Sequence, residues 1–136
     1  MILADTSAWV EYDRATGSAV DQRLTELIGT DGPLAVTEPV AMEVLAGARS
    51  DQREADLRRL LRRFHLLHFD TIADFDAATS IYRRCRKAGI TPRGMIDFLI
   101  AAVAWRCGAA LLAYDADLIR VTRVIGIDLD EASLSP

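Results

Sequence analysis

Ile2-Leu3-Ala4-Asp5-Thr6-Ser7 is an apolar triplet that runs directly into three polar residues. Three apolar residues suit one short buried strand, and Asp, Thr and Ser are N-cap types, so a helix is expected from about Ala8. The same order recurs along the chain. Leu34-Ala35-Val36 stops at Thr37 and yields to a helix from Glu38, with Pro39 at its first position, ending near Gly47. Leu66 to Phe69 precedes a helix from Ile72 to Lys87 closed by Gly89, and Ala110 to Ala113 precedes a helical segment from Asp115 to Thr122. Between these lie a helix from Gly17-Ser18 to Gly29 and an amphipathic stretch from Asp51 to Phe64. The most apolar helix starts at Thr91-Pro92 and runs to Cys107-Gly108; Ile127-Asp128-Leu129 reads as a last edge strand. Strands that are continuous apolar runs, alternating with helices, predict an α/β fold: one short, mostly parallel central sheet flanked by helices on both faces. Residues 1–131 are expected to form the domain and residues 132–136 a loose C-terminal tail.

Length and composition agree with one domain. The chain has 136 residues, close to the ~150 of a single compact unit. Its 51% hydrophobic and 26% charged content excludes disorder, collagen-like repeats and a disulfide-stapled scaffold. No apolar run approaches the ~20 residues that cross a bilayer, and no basic n-region precedes an apolar stretch. A cytoplasmic protein without a membrane partner is expected. Cys85 and Cys107 have no CxxC spacing and are read as reduced core thiols.

The formal net charge is −4, yet the basic residues are clustered, and all but Lys87 are arginine. Arg49, Arg53, Arg58, Arg59, Arg62 and Arg63 share fifteen residues with three acids; Arg83, Arg84, Arg86 and Lys87 form a second cluster. Arginine forks suit phosphate, so the helix around Arg58, Arg59, Arg62 and Arg63 is a candidate for holding a nucleic-acid backbone. The alternative is a solvated helix face.

Candidate chemistry lies in the acids. In open parallel sheets, ligands bind at the carboxyl ends of the strands. Two predicted strands end in carboxylates there, one in Asp5 and the other in Asp115 and Asp117. Two apolar helical segments each carry one more acid, Glu43 within Val40–Ala46 and Asp97 within Met95–Val103. Each has an ordinary explanation. Asp5 and Asp115 suit N-caps, Glu43 suits a helix edge solvated or paired with Arg49, and Asp97 suits an ion pair with Arg93 four residues earlier. Together the four have no comparable set of cationic partners, and clustered like charges raise one another's pKa. A divalent cation such as Mg²⁺ or Mn²⁺ resolves the conflict and can serve a phosphoryl displacement. No GxSxG, P-loop, GxGxxG or HExxH motif competes. His65 and His68, three apart in a predicted strand, point to opposite faces and read as edge residues rather than a ligand pair.

Four segments resemble the acidic motifs of PIN-domain ribonucleases, specifically the VapC-type toxins of bacterial toxin–antitoxin systems. They are Met1–Trp9, Pro39–Gly47, Thr91–Ala102 and Leu111–Asp117, in the family's order and spacing. The resemblance implies a PIN-like domain and an acidic quartet, Asp5, Glu43, Asp97 and Asp115, holding one or two Mg²⁺ or Mn²⁺. It further implies Asp117 as a fifth acid and Thr6 or Ser7 as a hydroxyl orienting the attacking water or the first aspartate. Arg93 resembles an arginine found in some such toxins, placed either to contact RNA phosphate or to pair internally with Asp97. The implied reaction is hydrolysis of RNA phosphodiesters, which inhibits translation and growth, and the implied partners are RNA, an antitoxin protein and a second copy in a homodimer. Leu118 departs from the aromatic usual after the second aspartate of the last motif, which leaves the division of labour between Asp115 and Asp117 open.

Two other readings share the strand-end acids. A haloacid-dehalogenase-type phosphatase or phosphotransferase wants a second aspartate two residues after the first, where Ser7 stands. A receiver-like module wants a strand-end lysine, and Lys87 falls at the end of a predicted helix. A non-catalytic acidic binding module leaves Glu43 and Asp97 unexplained.

Overall fold

Three of the four strands are the apolar triplets themselves: β1 (Ile2–Ala4), β2 (Leu34–Val36) and β4 (Ala110–Leu112). The fourth, β3, is only His65–Leu66. The computed structural model describes residues 1–134, and among these the sheet is wholly parallel, in the order β3-β2-β1-β4. Its registers are Ile2 beside Leu34 and Ala110, and Ala35 beside His65. Seven helices connect and cover it: α1 (Thr6–Asp13), α2 (Ala19–Gly29), α3 (Glu38–Ala46), α4 (Asp51–Leu61), α5 (Ala73–Lys87), α6 (Met95–Cys107) and α7 (Ala116–Ile125).

The order of strands dictates the layers. The chain steps from β1 to β2 to β3 in one direction, then returns across the sheet to β4. Right-handed crossovers therefore lay α1–α4 on one face and α5–α7 on the other. Most helix packing divides the same way, α1 on α2 and α3, α3 on α4, and α5 on α6 and α7; the exception is α3 against α6. The direction reverses between β1 and β4, so a crevice opens at the carboxyl ends of those two strands. Leu3, Leu111, Leu112, Phe98, Ile100 and Ile81 are fully buried between the layers.

Several boundaries differ from expectation, each for a local reason. β3 stops at Leu66 because Glu38 takes over the chain that follows: its carboxylate accepts the Phe69 amide at 2.9 Å. His65 and His68 are both exposed, and His68, outside the strand, meets Glu38 at 3.2 Å. The segment 127–129 contributes one bridge, Leu111 to Leu129, and no full strand. α6 begins after Gly94, not at Pro92. Glycine inside a first turn costs about 1 kcal/mol, and here Gly94 is extended and serves as the N-cap. Cys85 is buried as expected, whereas Cys107, at the last position of α6, is exposed and is no core thiol. The expected tail is also shorter. Glu131–Leu134 forms a 3-10 turn, and buried Ser133 accepts the Ala113 amide at 3.0 Å and donates to the Leu111 carbonyl at 3.2 Å. Ser133 thus satisfies the Ala113 amide just past β4, while the Leu111 carbonyl also accepts the Asp130 amide at 2.8 Å. Ser135 and Pro136 lie outside the described residues.

The carboxylate cleft

Asp5 follows β1 directly and is 2% exposed. It caps α1, its Oδ2 accepting the Ser7 amide at 3.0 Å and the Ser7 hydroxyl at 2.6 Å. The Ser7 hydroxyl in turn accepts the Tyr114 amide at 2.8 Å. One serine therefore ties the end of β1 to the loop after β4. Asp115 caps α7 through Oδ1, which accepts the amides of Asp117 and Leu118 at 2.8 and 3.3 Å. Both strand-end aspartates are N-caps, and each keeps a second oxygen free of the capping bonds.

The two helix-borne acids turn into the same crevice. Glu43 sits one and a half turns into α3 and accepts the Thr6 hydroxyl at 2.6 Å; Arg49 is not its partner. Asp97 lies in the first turn of α6, half-buried. Because α6 starts after Arg93, the pair does not share a helix face, and exposed Arg93 forms no ion pair among the described residues. Asp5, Glu43, Asp97 and Asp115 line one cleft of about 330 Å³ together with Thr6, Ser7 and Tyr114. Glu11 and Val10, one turn beyond Thr6 and Ser7 on α1, line it too. Sequence reading passed over Glu11; its position on the face of α1 that carries Ser7 was the available signal.

Asp117 stands apart from the cleft lining. Its carboxylate accepts Arg120 at 2.8 Å, one turn on along α7. The arginines of α4, and Arg63 just after it, are likewise engaged. Arg58 pairs with Glu54, Arg59 with Asp56, Arg53 with Asp13, and Arg63 approaches Asp31 at 3.7 Å. Arg58 and Arg62 face a separate apolar groove between α3, α4 and the β2–β3 edge. None of these arginines reaches the acidic cleft.

No ion pair within 4 Å neutralises Asp5, Glu43, Asp97 or Asp115 among the described residues. The electrostatic cost is visible in two of them. Burial pushes Asp97 up to about 7, helped by the charges of Asp5, Asp115, Glu43 and Asp117. Burial also pushes Asp5 up to about 6, against the hydrogen bonds from Ser7 that favour its charge. Three buried side-chain polar atoms lack a partner among the described residues, Asp5 Oδ1, Trp9 Nε1 and Thr37 Oγ1, and only the first belongs to an acid. An orphaned carboxylate oxygen at the floor of an acidic cleft is what a cation site leaves when the protein alone is considered. The acids do not converge on one point, since no three of them approach closely enough to share one ion directly among the described residues. That suits Mg²⁺, which keeps several waters and takes one or two carboxylates.

These shifts set a pH dependence. A group whose folded pKa lies above its unfolded value contributes stability at low pH and loses it as pH rises through the folded value. Cation-free protein is thus expected to lose stability between about pH 4.5 and 7.5, the reverse of ordinary carboxylate behaviour. Glu38 and Asp70 act oppositely. Hydrogen bonds from Phe69 and His68 outweigh burial at Glu38, and the Ala73 and Ile72 amides hold Asp70 low; their contribution fades only below about pH 4.5. Thermal unfolding with chelator across this range checks the sign, and Mg²⁺ should reverse it.

The PIN domain family model matches residues 2–124. The chain belongs to the PIN domain family. Ribonuclease VapC11 of Mycobacterium tuberculosis is 44% identical over 128 residues, covering 93% of this chain and 96% of the relative. Ribonuclease VapC32 of the same organism is 33% identical over 134 residues, covering 96% and 98%. This PIN domain also resembles the crystal structure of VapBC2 from Rickettsia felis bound to a promoter DNA fragment. There the TM-score is 0.75 at 19% identity, over 96% of this chain and 98% of that one. No helix among the described residues is long and apolar enough to cross a membrane.

Proposed function

We propose that this PIN-domain protein is a Mg²⁺- or Mn²⁺-dependent endoribonuclease, the toxin of a toxin–antitoxin pair that inhibits translation and growth in the cytoplasm. The observation that carries the metal site is the uncompensated cleft, four carboxylates with no cation among them and Asp5 Oδ1 buried without a partner. The family match and the VapC ribonuclease relatives support the reaction.

Asp5, Glu43, Asp97 and Asp115 would hold the cation. When bound, it supplies positive charge that neutralises these acids, acidifies a water and offsets charge on the leaving oxygen of a phosphodiester. The chain's own hydroxyls position the acids. Ser7 fixes the rotamer of Asp5, aiming Oδ1 away from the cap, and Thr6 holds Glu43 in the cleft. Asp117, held by Arg120, adds negative charge from outside the lining. Arg93, exposed at the start of α6, is free to meet RNA phosphate. A cognate antitoxin and a second copy of the chain are the proposed protein partners; VapBC complexes among structures of this fold support the former, and exposed Met42 and Met95 offer apolar surface for the latter.

Purified protein is expected to cut RNA with Mg²⁺ or Mn²⁺ and to stop with chelator, while a generic phosphatase substrate stays intact. Full cleavage in excess chelator would overturn the metal assignment. End-mapping of cellular RNA after induced expression identifies the cleavage site.

Ser7→Ala removes the one side chain that links Asp5 to the Tyr114 amide. Loss of such a positioning partner typically lowers metal affinity or activity 10–100-fold. Titration of cleavage against Mg²⁺ should show the midpoint moving to higher concentration.

A further inference from the structure

We infer that the last turns of α5, through Arg83, Arg86 and Lys87, form a phosphate-binding rim that holds single-stranded RNA where it leaves the carboxylate cleft. This rests on the ribonuclease reading and extends it to how the substrate is held.

The end of α5 is strongly basic. Between Asp76 and Asp97 the chain has no acidic residue and five cations: Arg83, Arg84, Arg86, Lys87 and Arg93. All five are exposed, and none has a carboxylate within 4 Å among the described residues. Of the eleven other arginines, seven are ion-paired among the described residues, Arg53, Arg58 and Arg59 of α4 among them, and Arg14, Arg49, Arg62 and Arg123 stand singly rather than as a cluster on one helix face. Positive charge at a helix C-terminus complements the macrodipole, but that applies equally to α4, where the arginines are neutralised. Arg83, Arg86 and Lys87 are spaced i, i+3 and i+4, which places them on one helix face. Among the described residues, these three line a recess of about 440 Å³. Three unpaired cations side by side repel one another, and an anion is the ligand that relieves them.

This basic turn lies close to the cleft. α5 and α6 run antiparallel, and their register is fixed at two levels. Asp74 meets Arg106 at one end. Tyr82 stacks edge-on against Phe98 toward the other, with ring centroids 5.2 Å apart. Arg83 follows Tyr82 and Asp97 precedes Phe98, so the basic turn of α5 stands beside the end of α6 that supplies the cleft. With helices packed 8–10 Å apart and a pitch of 5.4 Å, the separation is on the order of 10–20 Å, a few nucleotides. An RNA strand meets four carboxylates in the cleft, and positive charge just outside it offsets that repulsion. Arginine and lysine contact the phosphates common to every RNA, so the rim contributes affinity without sequence preference.

The test is the salt dependence of kcat/KM with Mg²⁺, on a labelled RNA oligonucleotide spanning the mapped cleavage site. Each phosphate contact on a single strand contributes about 0.7 to the slope of log affinity against log salt. The triple change R83Q/R86Q/K87Q is expected to flatten the slope by about 2 and to raise KM. R58Q/R59Q/R63Q, on α4 and the turn that follows it, should flatten it by less than half as much. R83K/R86K, which keeps the charge, should retain the wild-type slope, separating charge from any disturbance of α5. An unchanged slope in the first variant, or a larger change from the α4 variant, overturns the rim while leaving the ribonuclease intact. Absence of cleavage by the wild type on any RNA overturns both readings together.

Discussion

Asp97→Asn is expected to bring RNA cleavage to near background while leaving the cation-free protein as stable as the wild type, or more stable by on the order of 1 kcal/mol. The two halves of this result have one cause. Asp97 ionises with difficulty because it is half-buried among Asp5, Asp115 and Glu43, so replacing its charge by an amide relieves the folded state. The same charge is what a cation needs, so Mg²⁺ should stabilise the wild type by mass action, about 2.7 kcal/mol at a hundredfold excess over Kd, and the variant much less. A structural role would give the opposite sign. Were Asp97 the partner of a buried arginine, losing its charge would destabilise by roughly 3–5 kcal/mol; the exposed, unpaired Arg93 removes the obvious partner. Thermal unfolding of both proteins, each with chelator and with Mg²⁺, decides the matter beside the RNA assay. A variant clearly destabilised in chelator yet still active would defeat the metal-ligand role.

The largest stability effect is expected far from the chemistry, at Arg106→Leu. Asp74 is wholly buried, and Arg106 grips it with two bonds, Nε to Oδ1 at 2.8 Å and Nη2 to Oδ2 at 2.9 Å. The same guanidinium donates to the His68 carbonyl at 2.7 Å, and Asp74 also accepts the Asp70 amide at 2.8 Å. Removing the arginine strands a carboxylate in the interior, which costs about 3–5 kcal/mol and lowers Tm by roughly 10–20 °C. Arg106→Lys should recover only part, since an ammonium cannot make the two-pronged contact. The double variant Asp74→Leu/Arg106→Leu should be more stable than Arg106→Leu alone, because no uncompensated charge remains. Equal Tm values for Arg106→Leu and wild type would show that the pair contributes nothing.

Much of the architecture was readable because parallel strands buried on both faces have no choice but to be apolar. Ile2–Ala4, Leu34–Val36 and Ala110–Leu112 satisfy that demand and lie where their composition puts them. The exposed edge strand and the bridge at Leu129 lack that constraint, and their extent depends on long-range partners such as Glu38 that no local pattern announces. The acids of the cleft were legible as misfits, charges in apolar helices or at strand ends. How they are held was not. That Ser7 spans from Asp5 to Tyr114, and Thr6 reaches Glu43, depends on contacts 107 and 37 residues apart. The arginines show the converse. Density in sequence drew attention to α4, whereas pairing in space distinguishes α4 from α5, since Glu54 and Asp56 lie one turn from the cations they cancel. The start of α6 was misplaced by the weight given to Pro92, and with it went the alternative in which Arg93 pairs with Asp97.

The placement of β1 between β2 and β4 has a temporal consequence. A ribosome releases Asp5 and Glu43 before Asp97, and Asp97 before Asp115. β1 gains its second neighbour at the very strand that precedes Asp115, with the Asp5 amide bonded to the Leu112 carbonyl at 2.9 Å. Until that strand is translated, the first aspartate faces an unfinished sheet, and no partial product owns a complete set of acids. A growing chain that stops short of Asp115 would lack part of the proposed cation site, an order of assembly set by the order of its strands.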